Sequence, residues 1–138
     1  MVELLPSGLE IYVGDDEDLA RFLASSSHFN AQGVKHAAFL PSPKNRATSV
    51  FRHLNSSDES LRQLGKNIFG SERTLHGVAV CKAQHVRSAQ LEVEAAEPPP
   101  RHANITGWPW HASDPELEKA RLKERAILLA KDAKLIKP

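Results

Sequence analysis

The sequence predicts an α+β domain: a mainly antiparallel sheet with two short helices and a long C-terminal amphipathic helix. Three observations predict it. Short apolar or β-branched runs recur at 9–13, 33–40, 48–54, 74–82 and 91–95. A well-capped stretch after Ser113 carries apolar residues at helical spacing. Strand-like and helix-like segments are interleaved without regular βαβ alternation, which favours α+β over a parallel sheet. With no linker or internal repeat, the 138 residues (1–138) are expected to form one domain.

In chain order, Leu9–Val13 alternates imperfectly before Gly14 and reads as a short strand or an extended arm. Asp15, Asp16, Glu17 and Asp18 then precede Leu19–Ala24. Acids suit the positive N-terminus of a helix, so the pattern predicts a helix over 16–25. No Gly-turn or spaced-Asp calcium loop follows the acids, so they are not expected to hold a cation. A polar break, 25–30, leads to a strand over 33–40 that Pro41 ends. Residues 41–46 are a loop of turn formers carrying Lys44 and Arg46.

The β-branched and aromatic run 48–54 predicts a strand. Its alternation puts Ser49, Phe51 and His53 on one face and Val50, Arg52 and Leu54 on the other. Several N-cap residues at 55–59, with Leu61, Leu64 and Ile68 at helical spacing, predict a helix over about 58–68 that stops at Gly70. Within 74–82 both faces are apolar, as in a central strand. Residues 84–89 are a turn or one helical turn, and 91–95 is a half-buried strand with Glu92 and Glu94 outward.

Pro98, Pro99 and Pro100 predict a stiff polyproline II segment, followed by a last strand at 102–106. The final helix has two overlapping start signals: Ser113 with Glu116, or Asp114 as cap with Pro115 in the first turn. Leu122, Ala126, Leu129, Ala133 and Ile136 line one face. Lys131, Lys134 and Lys137 suit its C-terminal dipole. Leu117, Leu128 and Leu135 fall on another side, which core packing or a partner would cover.

Composition narrows the function classes. Net charge is +1, which excludes a strongly basic nucleic-acid binder but leaves room for a local patch. A single cysteine, Cys81, excludes an intramolecular disulfide and a Cys-based zinc site and fits a reducing, cytoplasmic compartment. The N-terminal stretch lacks the basic and apolar regions of a leader, and no apolar run approaches a membrane span. Without a leader, the sequon Asn104-Ile105-Thr106 carries little weight. No phosphate-loop, dinucleotide, zinc-protease or nucleophile-elbow motif occurs, so neither cofactor nor metal is expected. Cys81 sits in an apolar strand pattern and reads as a small core residue.

The densest candidate region is 98–110, with both tryptophans, His102 and Asn104. If extended, it projects His102, Asn104 and Thr106 from one face, a row able to bind a small polar ligand, with His102 as acid or base. Trp108 and Trp110 would wall the pocket. Arg52, set in an apolar strand, needs a counter-charge if buried. A carboxylate from the 15–18 quartet or Glu97 would supply it, unless an anionic ligand does.

The leading expectation is a binding or accessory protein of adaptor or immunity type, its partner a protein or a second copy met through the C-terminal helix. The alternative is an enzyme acting on a phosphate-containing substrate, a nucleotide or RNA. In it His102 is the acid or base, Asn104 a positioning donor, and Arg52 with Arg101 the anion clamp. A third expectation is nucleic-acid binding through Lys44, Arg46 and the two tryptophans, with Arg52, Arg73, Arg87 and Arg101 converging on one surface.

Overall fold

The computed structural model describes residues 3–138. Met1 and Val2, the first residues of the stretch read for a leader, lie outside the described residues. A six-stranded sheet organises the chain, in the order β6-β7-β4-β1-β5-β8. The strands are β1 Asp18–Leu23, β4 Thr48–His53, β5 Gly77–Lys82, β6 Glu92–Ala95, β7 His102–Thr106 and β8 Lys134–Ile136. Every pairing in it is antiparallel. A two-stranded ribbon, β2 Phe29–Asn30 with β3 Gly33–Val34, is a separate sheet whose Phe29 and Val34 pack against the main core. Three α-helices complete the fold: α1 Asp58–Phe69, α2 Ala83–Ser88 and α3 Pro115–Asp132. The predicted class is the observed one.

The sheet separates two cores. On one side α1 packs Leu61 and Phe69 against Ala20, Phe22, Phe51, Val78 and Val80. Gly65 makes the close approach possible, since a Cβ there would lie 2.8 Å from the Phe22 ring. On the other side α3 packs Ala126, Leu129 and Ala130, with Val86 of α2 and Phe39, against Leu19, Val50, Ala79 and Ile105.

Strand β4 keeps the expected faces: Val50 packs beneath α3, and Phe51 beneath α1. In β7, Ala103 and Ile105 are fully buried, while His102, Asn104 and Thr106 are half-buried on the opposite face. Helix α1 is capped by Ser57 and ends at Gly70, whose φ is 60°. In β6, Val93 points inward and Glu92 and Glu94 outward.

Several elements differ from expectation. Residues 16–25 form no helix; β1 occupies 18–23 as a central strand. Leu19 and Leu23 feed one core and Ala20 and Phe22 the other, so both faces are apolar. Of the strand expected over 33–40, only Gly33–Val34 pairs; His36–Phe39 is a 3-10 turn that drops Phe39 into the core. The arm at 9–13 makes one isolated bridge, Leu4 with Glu10. The proline run is no polyproline II segment: with cis bonds at Glu97–Pro98 and Pro98–Pro99, it turns the chain between β6 and β7.

Helix α3 starts at Pro115, with Asp114 rather than Ser113 as cap. It stops at Asp132, short of Lys134 and Lys137, and the chain then pairs with β5 as β8. Ile136 therefore lies in the α1-side core and not on an α3 stripe. Leu128 is exposed on the outer face, beside Ile127. The sheet edges are β6, which exposes Glu92 and Glu94, and β8, which exposes Lys134.

Cys81 is buried in β5. Burial first, then Asp18 and Asp132, push its thiol up to about 12. The native protein is expected to resist a thiol reagent at pH 8 and to react fully once unfolded. Rapid labelling of folded protein would contradict this environment. The thiol of the unfolded chain ionises near 9.0, before that of the folded chain, so this group's contribution to stability falls as pH rises from there towards 12.

Candidate functional site

Arg52 and His102 lie on opposite faces of the sheet. On the α3 side, Arg52 is 1% exposed and forms a bidentate pair with Glu17, Nε to Oε1 at 2.7 Å and Nη2 to Oε2 at 2.8 Å. Its other donors reach the Glu10 carbonyl at 2.6 Å and the Tyr12 carbonyl at 3.4 Å. The counter-charge thus comes from the acidic quartet. Arg101 donates to the carbonyls of Arg52 and Leu54 at 3.1 and 3.0 Å, closing the end of β4. The expected clamp of Arg52 with Arg101 on a substrate at His102 is therefore not assembled: Arg52 is committed to Glu17 on the opposite face of the sheet.

His102 has different company. Its Nδ1 lies 2.9 Å from the Ala96 carbonyl, and its Nε2 lies 2.7 Å from Ser49 Oγ. A carbonyl only accepts, so Nδ1 carries the hydrogen, and the neutral ring's Nε2 accepts from the Ser49 hydroxyl. The imidazole also lies 5.2 Å from the Phe51 ring, centroid to centroid. Asn104 pairs with Ser49 and Glu94 in the backbone ladders, and its side chain makes no hydrogen bond to another described residue.

Ser49 and Phe51 line a small pocket of about 130 Å³, together with Phe22, His28, Phe69, Arg21 and Arg73. The pairing of β1 with β4 stops at Ala20 opposite Phe51. Beyond it the Arg21 guanidinium fills the gap, donating to the Ala38 carbonyl at 2.9 Å and the Ser49 carbonyl at 3.0 Å. Arg73 lies over the Phe69 ring at 4.2 Å. Burial and the facing charge of Arg73 hold the Arg21 guanidinium below its ordinary value. Burial, then Arg21, do the same to His28. Sequence reasoning counts Arg73 only among scattered cations and passes over Arg21, His28 and Ser49 as site residues. The available signal is Arg21 itself, a charge inside an apolar run, and the helix assigned to 16–25 hides it.

A second concavity, of about 360 Å³, lies where the loop before β4 and the turn after β7 meet the start of α3. The 41–46 loop supplies Pro41, Pro43 and Arg46; the turn after β7 supplies Trp108 and Pro109; α3 supplies Pro115, Glu118, Lys119 and Leu122. Trp108 is buried, and its Nε1 donates to the Ile105 carbonyl at 3.1 Å. Trp110 is 58% exposed, with the Arg46 guanidinium 4.1 Å from its ring centroid. Lys44 is exposed outside this lining.

The cations do not converge. Arg87 is bound to Asp15 at 2.6 Å and Glu92 at 2.7 Å, Arg52 to Glu17, and Arg101 to carbonyls. Trp110 is the one exposed tryptophan ring. Among the described residues, no three His, Cys, Asp or Glu come together as a metal site, and no helix is long and apolar enough to cross a membrane. The chain matches no protein-family model, no curated protein and no solved structure.

Proposed function

We propose that this protein works by binding, as an accessory module that docks an extended segment of a protein partner in the groove between the 41–46 loop, the 107–110 turn and the start of α3. The exposed Trp110, held by Arg46 beside a groove of prolines and Leu122, is the observation that carries this reading. Exposed aromatic rings beside apolar concavities are where interface energy concentrates. The groove walls are already ordered by the loop and the helix, so little entropy is lost on docking. Arg46 and Lys119 outnumber Glu118 among its charges, which favours a segment with an apolar side chain flanked by an acid.

The test is a selection of short peptides from a displayed random library, with affinities read from tryptophan fluorescence. Selected peptides are expected to carry an apolar–acidic pattern and to lose about 30-fold in affinity to Trp110→Ala, the roughly 2 kcal/mol of an interface anchor. Leu122→Arg is expected to weaken them similarly. A selection that enriches nothing, or peptides indifferent to both substitutions, would defeat the reading.

A further inference from the structure

The pocket on the α1 side of the sheet has three properties that the groove lacks. It is cationic without compensation: Arg21 and Arg73 line it, no carboxylate does, and neither arginine forms an ion pair among the described residues. Arg21 is fixed by the Ala38 and Ser49 carbonyls, and its remaining N–H groups have no hydrogen-bond partner among the described residues. Those two bonds use only two of the five donors on a guanidinium.

The second property is the orientation of the Ser49 hydroxyl. Its hydrogen is engaged by His102 Nε2, which leaves oxygen lone pairs for the pocket. A lone pair aimed at a bound anion repels it; aimed at an electrophilic centre inside that anion, it is a nucleophile. The third property is the orienting group. The Ala96 carbonyl fixes the tautomer in which His102 accepts the proton. Nucleophile, base and orienter within hydrogen-bond reach are the arrangement that activates a serine.

We infer that this pocket is a phosphoryl-transfer site for a small phosphomonoester, with Ser49 as nucleophile, His102 as general base, and Arg21 and Arg73 as the phosphate clamp. The positive charge sits beside the nucleophile itself, since Arg21 is bound to the carbonyl of Ser49. That placement suits a substrate whose reacting atom bears the negative oxygens, as phosphorus does and an ester carbon does not. Ser49 Oγ attacks phosphorus, the Oγ–P bond forms and the bond to the leaving oxygen breaks. The serine proton passes to Nε2 and then to the departing alkoxide. Water next attacks the phosphoserine, giving its proton to Nε2. The Oγ–P bond breaks, inorganic phosphate leaves, and Oγ recovers the proton. The phenylalanine walls carry no charge of their own, so the arginines set the charge of the pocket.

The experiment uses the full chain with p-nitrophenyl phosphate. Turnover above the uncatalysed rate is expected, with a phosphoryl group trapped on Ser49 after acid quenching and found by mass spectrometry. Ser49→Ala is expected to lower kcat by roughly 10³-fold or more. His102→Gln should lower it by about 10²- to 10⁴-fold. Arg73→Gln, at an exposed position, should keep the melting temperature and cost about 10- to 100-fold in kcat/KM, the effect of one charge-assisted bond. Absence of turnover by the native protein overturns the inference. So does turnover that survives Ser49→Ala, or that is indifferent to Arg73→Gln.

Discussion

Replacing Arg52 by alanine is expected to destabilise the fold by about 3–5 kcal/mol, because it strands the Glu17 carboxylate. Glu17 is 7% exposed, and its remaining hydrogen bond comes from the Gly14 N–H at 2.7 Å. One backbone donor cannot replace a bidentate guanidinium. The loss extends beyond the pair, because Arg52 also holds the carbonyls of Glu10 and Tyr12 and so fastens the N-terminal arm to β4. Urea unfolding measures the change. Replacing both partners together, Arg52→Met with Glu17→Leu, is expected to recover most of it, since two matched apolar side chains leave no buried charge. A single substitution costing under about 1 kcal/mol would show that water reaches the pair and that it behaves like a surface bridge.

Phe39→Ala is expected to cost about 3–5 kcal/mol, the loss typical of emptying a fully enclosed aromatic site. Phe39 has no exposed surface and is among the largest fully buried side chains. It stands on a 3-10 turn beneath α3, and Thr48 Oγ1 donates to its carbonyl at 2.7 Å. That bond pins the turn to β4, so the chain cannot easily collapse into the space left by the ring. The urea midpoint should fall with the denaturant slope unchanged. A changed slope would instead indicate that the turn and α3 come loose together.

Legibility in the sequence varied from element to element. Strands β6 and β7 were readable because their two faces differ: buried Val93, Ala103 and Ile105 alternate with polar neighbours that are exposed or half-buried, whereas β4, apolar on both faces, was readable from its β-branched and aromatic run. Strand β1 was not. Six residues with apolar side chains on both faces fit a short helix as well as a central strand, and the acids before them tip the balance the wrong way. Those acids serve distant partners: Glu17 binds Arg52, Asp15 binds Arg87 and Asp18 binds Lys82. The end of α3 was missed because Ala133 and Ile136 continue its period by coincidence. Ala133 is the cap that ends the helix, and tertiary pairing with β5 makes Lys134–Ile136 a strand.

The site regions were legible as single residues and not as groups. His102 stood out by its neighbours in the chain, but its partner Ser49 is 53 positions away. Only the register of β4 against β7, with Phe51 opposite His102, brings them together. The same register puts Arg52 on the other face, one residue along and out of reach. A cross-strand register is not written locally, so the expected pairing of Arg52 with His102 joined two residues that the sheet divides.

The two edges of the sheet bear on how copies of this protein behave at high concentration. An open sheet ends in strands whose outer N–H and C=O groups can template further strands, the first step towards fibres. Here one edge is four residues long and shows Glu92 and Glu94, and the other is three residues long and shows Lys134. Any strand adding to either edge must strip water from those charges for only a few backbone bonds. The flanks of the sheet thus act as gatekeepers, and colloidal stability is built into the same short strands that close the core.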